Sequence, residues 1–137
     1  MRVLHALVFG VLIFAFSLVN AQSEVQFYGG SFEEMTAQAN TQNKCYMVFF
    51  SKDNCIPCLK MKEDTFTDPE VINAAQEKVI MYEALMPNLD AFSLAQEYGI
   101  VSYPTVLVFS PKGVLIGKLS GVQSPAQIMT VIRKLAS

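Results

Sequence analysis

Three runs of apolar residues, each of strand length, stand out along the chain: Cys45-Tyr46-Met47-Val48-Phe49-Phe50, Val79-Ile80-Met81-Tyr82-Glu83-Ala84-Leu85 and Thr105-Val106-Leu107-Val108-Phe109. Continuous rather than alternating apolarity is the pattern of strands buried on both faces. The second run is unusual in carrying an acid, Glu83. Ahead of the first run, Val25-Gln26-Phe27-Tyr28 predicts a short strand ended by Gly29-Gly30. Behind the third, Ser110-Pro111-Lys112-Gly113 predicts a hairpin turn, with Pro111 fixing φ and Gly113 free to take φ > 0. Val114 to Leu119 then returns antiparallel.

Helices are predicted between these runs. Ser31-Phe32-Glu33-Glu34 is a capping box and starts a helix reaching about Asn40. Another begins around Cys55 to Pro57, where proline is tolerated because a first-turn N–H lacks a partner anyway. Asp68 caps and Pro69 opens a third, lasting to about Gln76. Asn88 or Asp90 caps a fourth, which stops near Tyr98 at Gly99. Ser124-Pro125 opens the last, with Ile128, Val131, Ile132 and Leu135 at amphipathic spacing. The order β-α-β-α-α-β-α-β-β-α gives one three-layer α/β/α domain. Helices between strands imply parallel pairing with right-handed crossovers, and the terminal hairpin adds antiparallel pairing to give a mixed sheet.

The amino terminus changes the picture of where this domain works. Met1-Arg2 is followed by an apolar run from Val3 to Val19, and Val19-Asn20-Ala21 resembles a small-residue cleavage site. The pattern predicts a signal peptide over residues 1–21 and a domain over residues 22–137. Ala6 to Val19 is short of the ~20 residues that span a bilayer, so contact with a membrane is expected only through an uncleaved leader. Loss of Arg2 moves the net charge of −2 for the whole chain to −3. Basic residues form no run, which argues against nucleic-acid binding. The one histidine, His5, lies in the leader. The remaining domain therefore cannot assemble serine triads, Cys–His pairs or zinc sites that use histidine.

Candidate chemistry centres on Cys55-Ile56-Pro57-Cys58. Cys55 stands where a buried strand gives way to a helix, and the unpaired N–H groups of a first turn favour an anion there. The thiolate, which is the nucleophile, therefore forms more readily on Cys55. Cys58, one turn on and turned inward, can displace a partner held on Cys55 as a mixed disulfide. The third cysteine, Cys45, is too little to complete a four-ligand zinc site without histidine. A two-thiolate site for a soft ion such as Cu(I) is a minor alternative. A structural clip is weak, because a loop this short removes little chain entropy. Tyr103-Pro104-Thr105 is a second feature: a proline entering a strand, where either a cis bond or an ordinary trans proline occurs.

With these residues the sequence resembles the thioredoxin-fold thiol–disulfide oxidoreductases, in particular exported thioredoxin-like proteins and the C-terminal domain of DsbD-type thiol–disulfide interchange proteins. The likeness covers residues 24–136. It rests on Cys55-Ile56-Pro57-Cys58, Thr65-Phe66-Thr67-Asp68-Pro69-Glu70-Val71, Tyr98-Gly99-Ile100, Tyr103-Pro104-Thr105, Pro111-Lys112-Gly113 and Gly121. The resemblance implies a thioredoxin fold, Cys55 as nucleophile, Cys58 as resolving thiol, and Pro104 in cis against the pair. It implies substrate contacts from Ile56, Pro57, Tyr103 and Pro104, with Tyr103 offering backbone groups to an extended client. Two departures stand out. Many members have Trp where Asn54 precedes the first cysteine, and many have a buried Asp where Phe49 stands, a carboxylate thought to move the resolving thiol's proton.

Glu83 is the candidate replacement proton acceptor, with a solvent-facing strand end as the alternative. Cys45 is expected to be a small buried apolar residue; a strand of about 16 Å separates it from Phe50, at ~3.3 Å per residue, so it should pair with neither other cysteine. The expectation is an exported, periplasmic oxidoreductase that acts on protein clients with a membrane or soluble redox partner, weakly favoured as a reductant, and needs no diffusible cofactor or metal. The competing class is a thioredoxin-fold binding module that holds a client or soft metal ion and turns over nothing.

Overall fold

The computed structural model describes residues 21–137, so the expected leader, apart from Ala21, lies outside the described residues. The elements in chain order are α1 (Phe32–Gln42), β1 (Cys45–Lys52), α2 (Ile56–Asp64), α3 (Pro69–Lys78), β2 (Val79–Met86), α4 (Leu89–Glu97), β3 (Thr105–Phe109), β4 (Leu115–Ser120) and α5 (Pro125–Leu135). Local chemistry fixes their starts. Ser31 and Ser124 each accept from the backbone three residues on, and Glu34 and Gln127 reach back to the cap N–H. The Asp68 carboxylate accepts from the N–H groups of Glu70 and Val71. These bonds satisfy donors that a helix start otherwise leaves open. The β3–β4 turn uses Gly113 at φ 81°, where a side chain would be strained.

The sheet order is β2-β1-β3-β4. β1 and β2 are parallel, with Phe49 opposite Glu83. β3 runs antiparallel to β1, with Phe50 opposite Thr105. The expectation of parallel pairing for every strand separated by a helix is therefore corrected at β3. Its physical cause is the connection. The chain leaves β2 at Met86 and re-enters at Thr105, which lies level with Phe50 and Ala84. It thus returns to the end of the sheet it left, and the next strand must run the other way.

The predicted strand over Val25–Tyr28 is also corrected. It contracts to one bridge between Phe27 and Met81, with the Tyr28 N–H donating to the Met81 carbonyl. The Val25 N–H instead donates to the Phe66 carbonyl, so the segment divides its bonds between the edge of β2 and the loop after α2.

Alternation along the strands divides the core. Met47, Phe49, Met81, Val106 and Val108 face α2, α3 and α5, where they meet Met61, Val71 and Ile128. Tyr46, Val48, Phe50, Tyr82 and Leu107 face α1 and α4, where they meet Met35, Ala39 and Leu94. The central strand β1 is buried from Tyr46 to Ser51, as its continuous apolar run predicts. The result is three layers with helices on both faces of a mixed sheet. Among the described residues no helix is long and apolar enough to cross a membrane.

Candidate active site

β1 ends at Lys52, and the chain turns through Asp53 and Asn54 into α2. Asn54 sits at φ 56°, a left-handed conformation that asparagine tolerates better than most residues. That turn places Cys55 as the N-cap of α2, and its sulfur accepts from the Cys58 N–H at 3.2 Å. Pro57 lies in the helix's first turn, where it lacks only a donor that would be unpaired. Cys55 and Cys58 are joined by a disulfide, with Cα atoms 5.2 Å apart.

Tyr103–Pro104 is a cis peptide bond. Pro104 immediately precedes Thr105, which pairs with Phe50, so the proline enters the sheet at the end where α2 begins. Its carbonyl accepts from the Gly121 N–H at 2.9 Å. Tyr103 is half-buried and packs against the cluster that contains both cysteines. Lys52 lies 5.4 Å from the centre of the Tyr103 ring, a cation–π distance. Ile56 is 78 % exposed beside this disulfide. Pro57 is exposed as well, whereas Pro104 is buried.

The chain matches the family described as a thioredoxin-like domain over residues 32–136. The chain belongs to the thioredoxin-like family. Over 83 residues it is 35% identical to the thiol:disulfide interchange protein DsbD of Pseudoalteromonas atlantica, a match that takes in 60% of this chain and 14% of that protein. The chain thus spans about one seventh of the length of that relative. In fold it is similar to a thioredoxin from Thermus thermophilus, with a TM-score of 0.72, 22% identity and coverage of 82% of this chain and 88% of that one. It is also similar to the oxidised C-terminal domain of Neisseria meningitidis DsbD, with a TM-score of 0.61, 22% identity and coverage of 80% and 98%. The fold is the thioredoxin fold, and the chain carries the Cys-x-x-Cys disulfide of thiol–disulfide oxidoreductases.

Within this thioredoxin-like domain, the expectation for Cys45 is corrected, and the structure adds the surroundings of Cys55 and Glu83. In the disulfide state Cys55 is 6 % exposed against 2 % for Cys58. Both cysteines of the pair are thus buried. Cys45 is a free thiol at the far end of β1, as its distance from the pair predicts, but it is half-buried rather than buried. It opens the strand, where cover is incomplete; what cover there is pushes its thiol above the ordinary range. Finally, Glu83 does not point away from the sheet as a frayed strand end would. Its Cα partner is Phe49, and alternation from Val79 and Met81 places it on the face covered by α2.

Sequence reasoning missed what holds Glu83 there. The Ser51 hydroxyl donates to Glu83 Oε1 at 2.6 Å. Lys62 of α2 forms an ion pair with the same oxygen. Two signals could have found this. An acid inside an apolar strand calls for a partner, and Lys62 lies four residues after Cys58, on the same helix face. Among the described residues no cluster of three or more His, Cys, Asp or Glu is arranged to hold a metal ion.

Proposed function

We propose that the protein is an exported thiol–disulfide oxidoreductase that exchanges disulfides with protein clients through Cys55 and Cys58 and serves as a reductant. The observation that carries this reading is the Cys55–Cys58 disulfide at the start of α2, with Cys55 as the helix cap. In the reduced protein the Cys55 thiolate attacks one sulfur of a client disulfide. That bond breaks, the client's other sulfur leaves as thiolate, and a mixed disulfide forms. The Cys58 thiolate then attacks the Cys55 sulfur, the client leaves fully reduced, and the intramolecular disulfide remains. A partner dithiol returns the two electrons, so no diffusible cofactor enters the cycle.

Ile56 and Pro57 offer exposed apolar surface to the client beside the reacting sulfur. Tyr103 lies just outside the β3 ladder, which begins at Thr105, and in this reading its backbone groups pair with an extended client segment. Glu83 is the candidate acceptor of the Cys58 proton, standing in for the acid that Phe49 displaces. Likeness to part of DsbD supports the reductant direction, and the apolar leader supports export to the periplasm, with residues 22–137 as the working domain.

Reduction of insulin by dithiothreitol, followed by turbidity, tests this reading. Acceleration by the wild-type protein that disappears in Cys55→Ser and survives in Cys45→Ser is the expected result. Acceleration unchanged in Cys55→Ser rules the mechanism out.

A further inference from the structure

The cluster joining Lys62, Glu83 and Ser51 is unlike the other ion pairs among the described residues. Lys60–Asp64 and Arg133–Glu70 lie between largely exposed side chains. Lys62 and Glu83 have side chains only 35% and 21% exposed, and they join different layers, α2 and the edge strand β2. Ser51, which adds the second bond to the same carboxylate oxygen, is buried at 1 %. A pair partly withdrawn from solvent is screened less than the exposed pairs and acts more strongly on its neighbours.

Its neighbour is the dithiol. Residues four apart on a helix have Cβ atoms about 5–6 Å apart, and Lys62 follows Cys58 at that spacing. Glu83 is level with Phe49, and Phe49 shares its packed cluster with Cys55 and Cys58. A positive charge on the active-site helix and a negative charge on the neighbouring strand β2 therefore neutralise each other. On the outer side of the site, Lys52 sits over Tyr103, Asp53 is exposed, and Lys60 is engaged with Asp64.

We propose that Lys62 and Glu83, with Ser51 orienting the carboxylate, are positioning residues that set the reduction potential of the Cys55–Cys58 couple by keeping the net charge beside it at zero. The proposal rests on the oxidoreductase reading above and names what tunes its centre. The sign of each perturbation follows from charge. A lone ammonium stabilises thiolate, hence the reduced form, and makes the potential less negative. A lone carboxylate does the opposite.

Glu83→Gln keeps the shape and the serine contact and leaves Lys62 uncompensated. Lys62→Met keeps the aliphatic stem and leaves Glu83 uncompensated. Redox equilibrium with glutathione, read by alkylation and mass, should shift about threefold to tenfold toward the dithiol in Glu83→Gln. It should shift by a similar factor toward the disulfide in Lys62→Met; tenfold corresponds to about 30 mV. The pH at which Cys55 is half-alkylated should fall in the first variant and rise in the second. Lys62→Arg should keep the wild-type equilibrium, and Lys62→Met/Glu83→Gln should return close to it. A contact that merely held the helix would move both single variants in the same direction or leave the potential alone, and either result overturns the proposal. If Lys62→Met does not fold, the sign of the shift in Glu83→Gln decides. A wild-type protein that exchanges no disulfide with glutathione overturns the oxidoreductase reading itself, which separates that failure from this one.

Discussion

Phe49 and Glu83 are partners across two strands, and in the proposed cycle Glu83 takes the proton of Cys58 where Phe49 leaves no acid. Phe49 is fully buried, stacked with Phe27 and edge-on to Phe66. Phe49→Asp should speed release of client from a mixed disulfide near neutral pH, because it brings a carboxylate close to Cys58. It should also destabilise the domain by at least the roughly 3–5 kcal/mol expected for loss of a core aromatic, since it buries an unpaired charge as well. Urea melts and single-turnover release measure the two effects. Loss of stability with no gain in rate would mean the absent acid never limited turnover. The cysteines carry a second expectation. Iodoacetamide should label Cys55 first in the reduced protein, since a helix start favours its thiolate. Fast labelling at Cys58 or Cys45 contradicts that assignment. Cys55 and Cys58 were legible in the sequence because their pairing rests on local spacing, whereas the cis bond at Pro104 was legible only through the family resemblance. Glu83 was legible only as an oddity, because its partners come from β1 and α2 and depend on a register that no local pattern states.

The same limit appears among the elements. The caps at Ser31, Asp68 and Ser124 could be read directly, since each bond spans two or three residues. The direction of β3 could not, because a helix between two strands does not say which end of the sheet the chain returns to. Nor could the loss of the Val25–Tyr28 strand, whose donors are divided between Phe66 and Met81. One long-range bond links the end of the active-site helix to the entry of α5 in the same layer. The Thr65 hydroxyl, at the end of α2, donates to the Gln123 carbonyl just before α5 at 2.6 Å, with Thr65 buried. Thr65→Val keeps the shape and leaves that carbonyl without its donor. It should lower stability by about 1–3 kcal/mol in urea melts. An unchanged midpoint would mean that the link between α2 and the α5 cap contributes nothing to the fold.

At the scale of the whole molecule, the two faces of the sheet divide the work. The face under α2, α3 and α5 holds the dithiol and the Lys62–Glu83 pair, while the face under α1 and α4 holds the buried tyrosines. Burial, and then the neighbouring Tyr98 and Glu97, push the Tyr46 phenol up to about 12 from an ordinary value near 10. Burial likewise raises Tyr82 and Tyr98. The folded protein therefore binds these protons more tightly than the unfolded chain. The stability that follows is complete below about pH 10 and is lost as pH climbs toward about 12. Tyrosine ionisation, followed by ultraviolet absorbance, should rise together with loss of the fold in that window. Titration near pH 10 with the fold intact would contradict it. The claim that matters most is that Cys55 and Cys58 form one redox couple, and a glutathione titration of the wild-type protein tests it directly, with each thiol mapped by alkylation and mass. Cys55 and Cys58 should gain and lose label together in a single two-electron transition, while Cys45 stays labelled throughout. A disulfide that includes Cys45, or a Cys55–Cys58 pair that no glutathione ratio converts, would contradict the account.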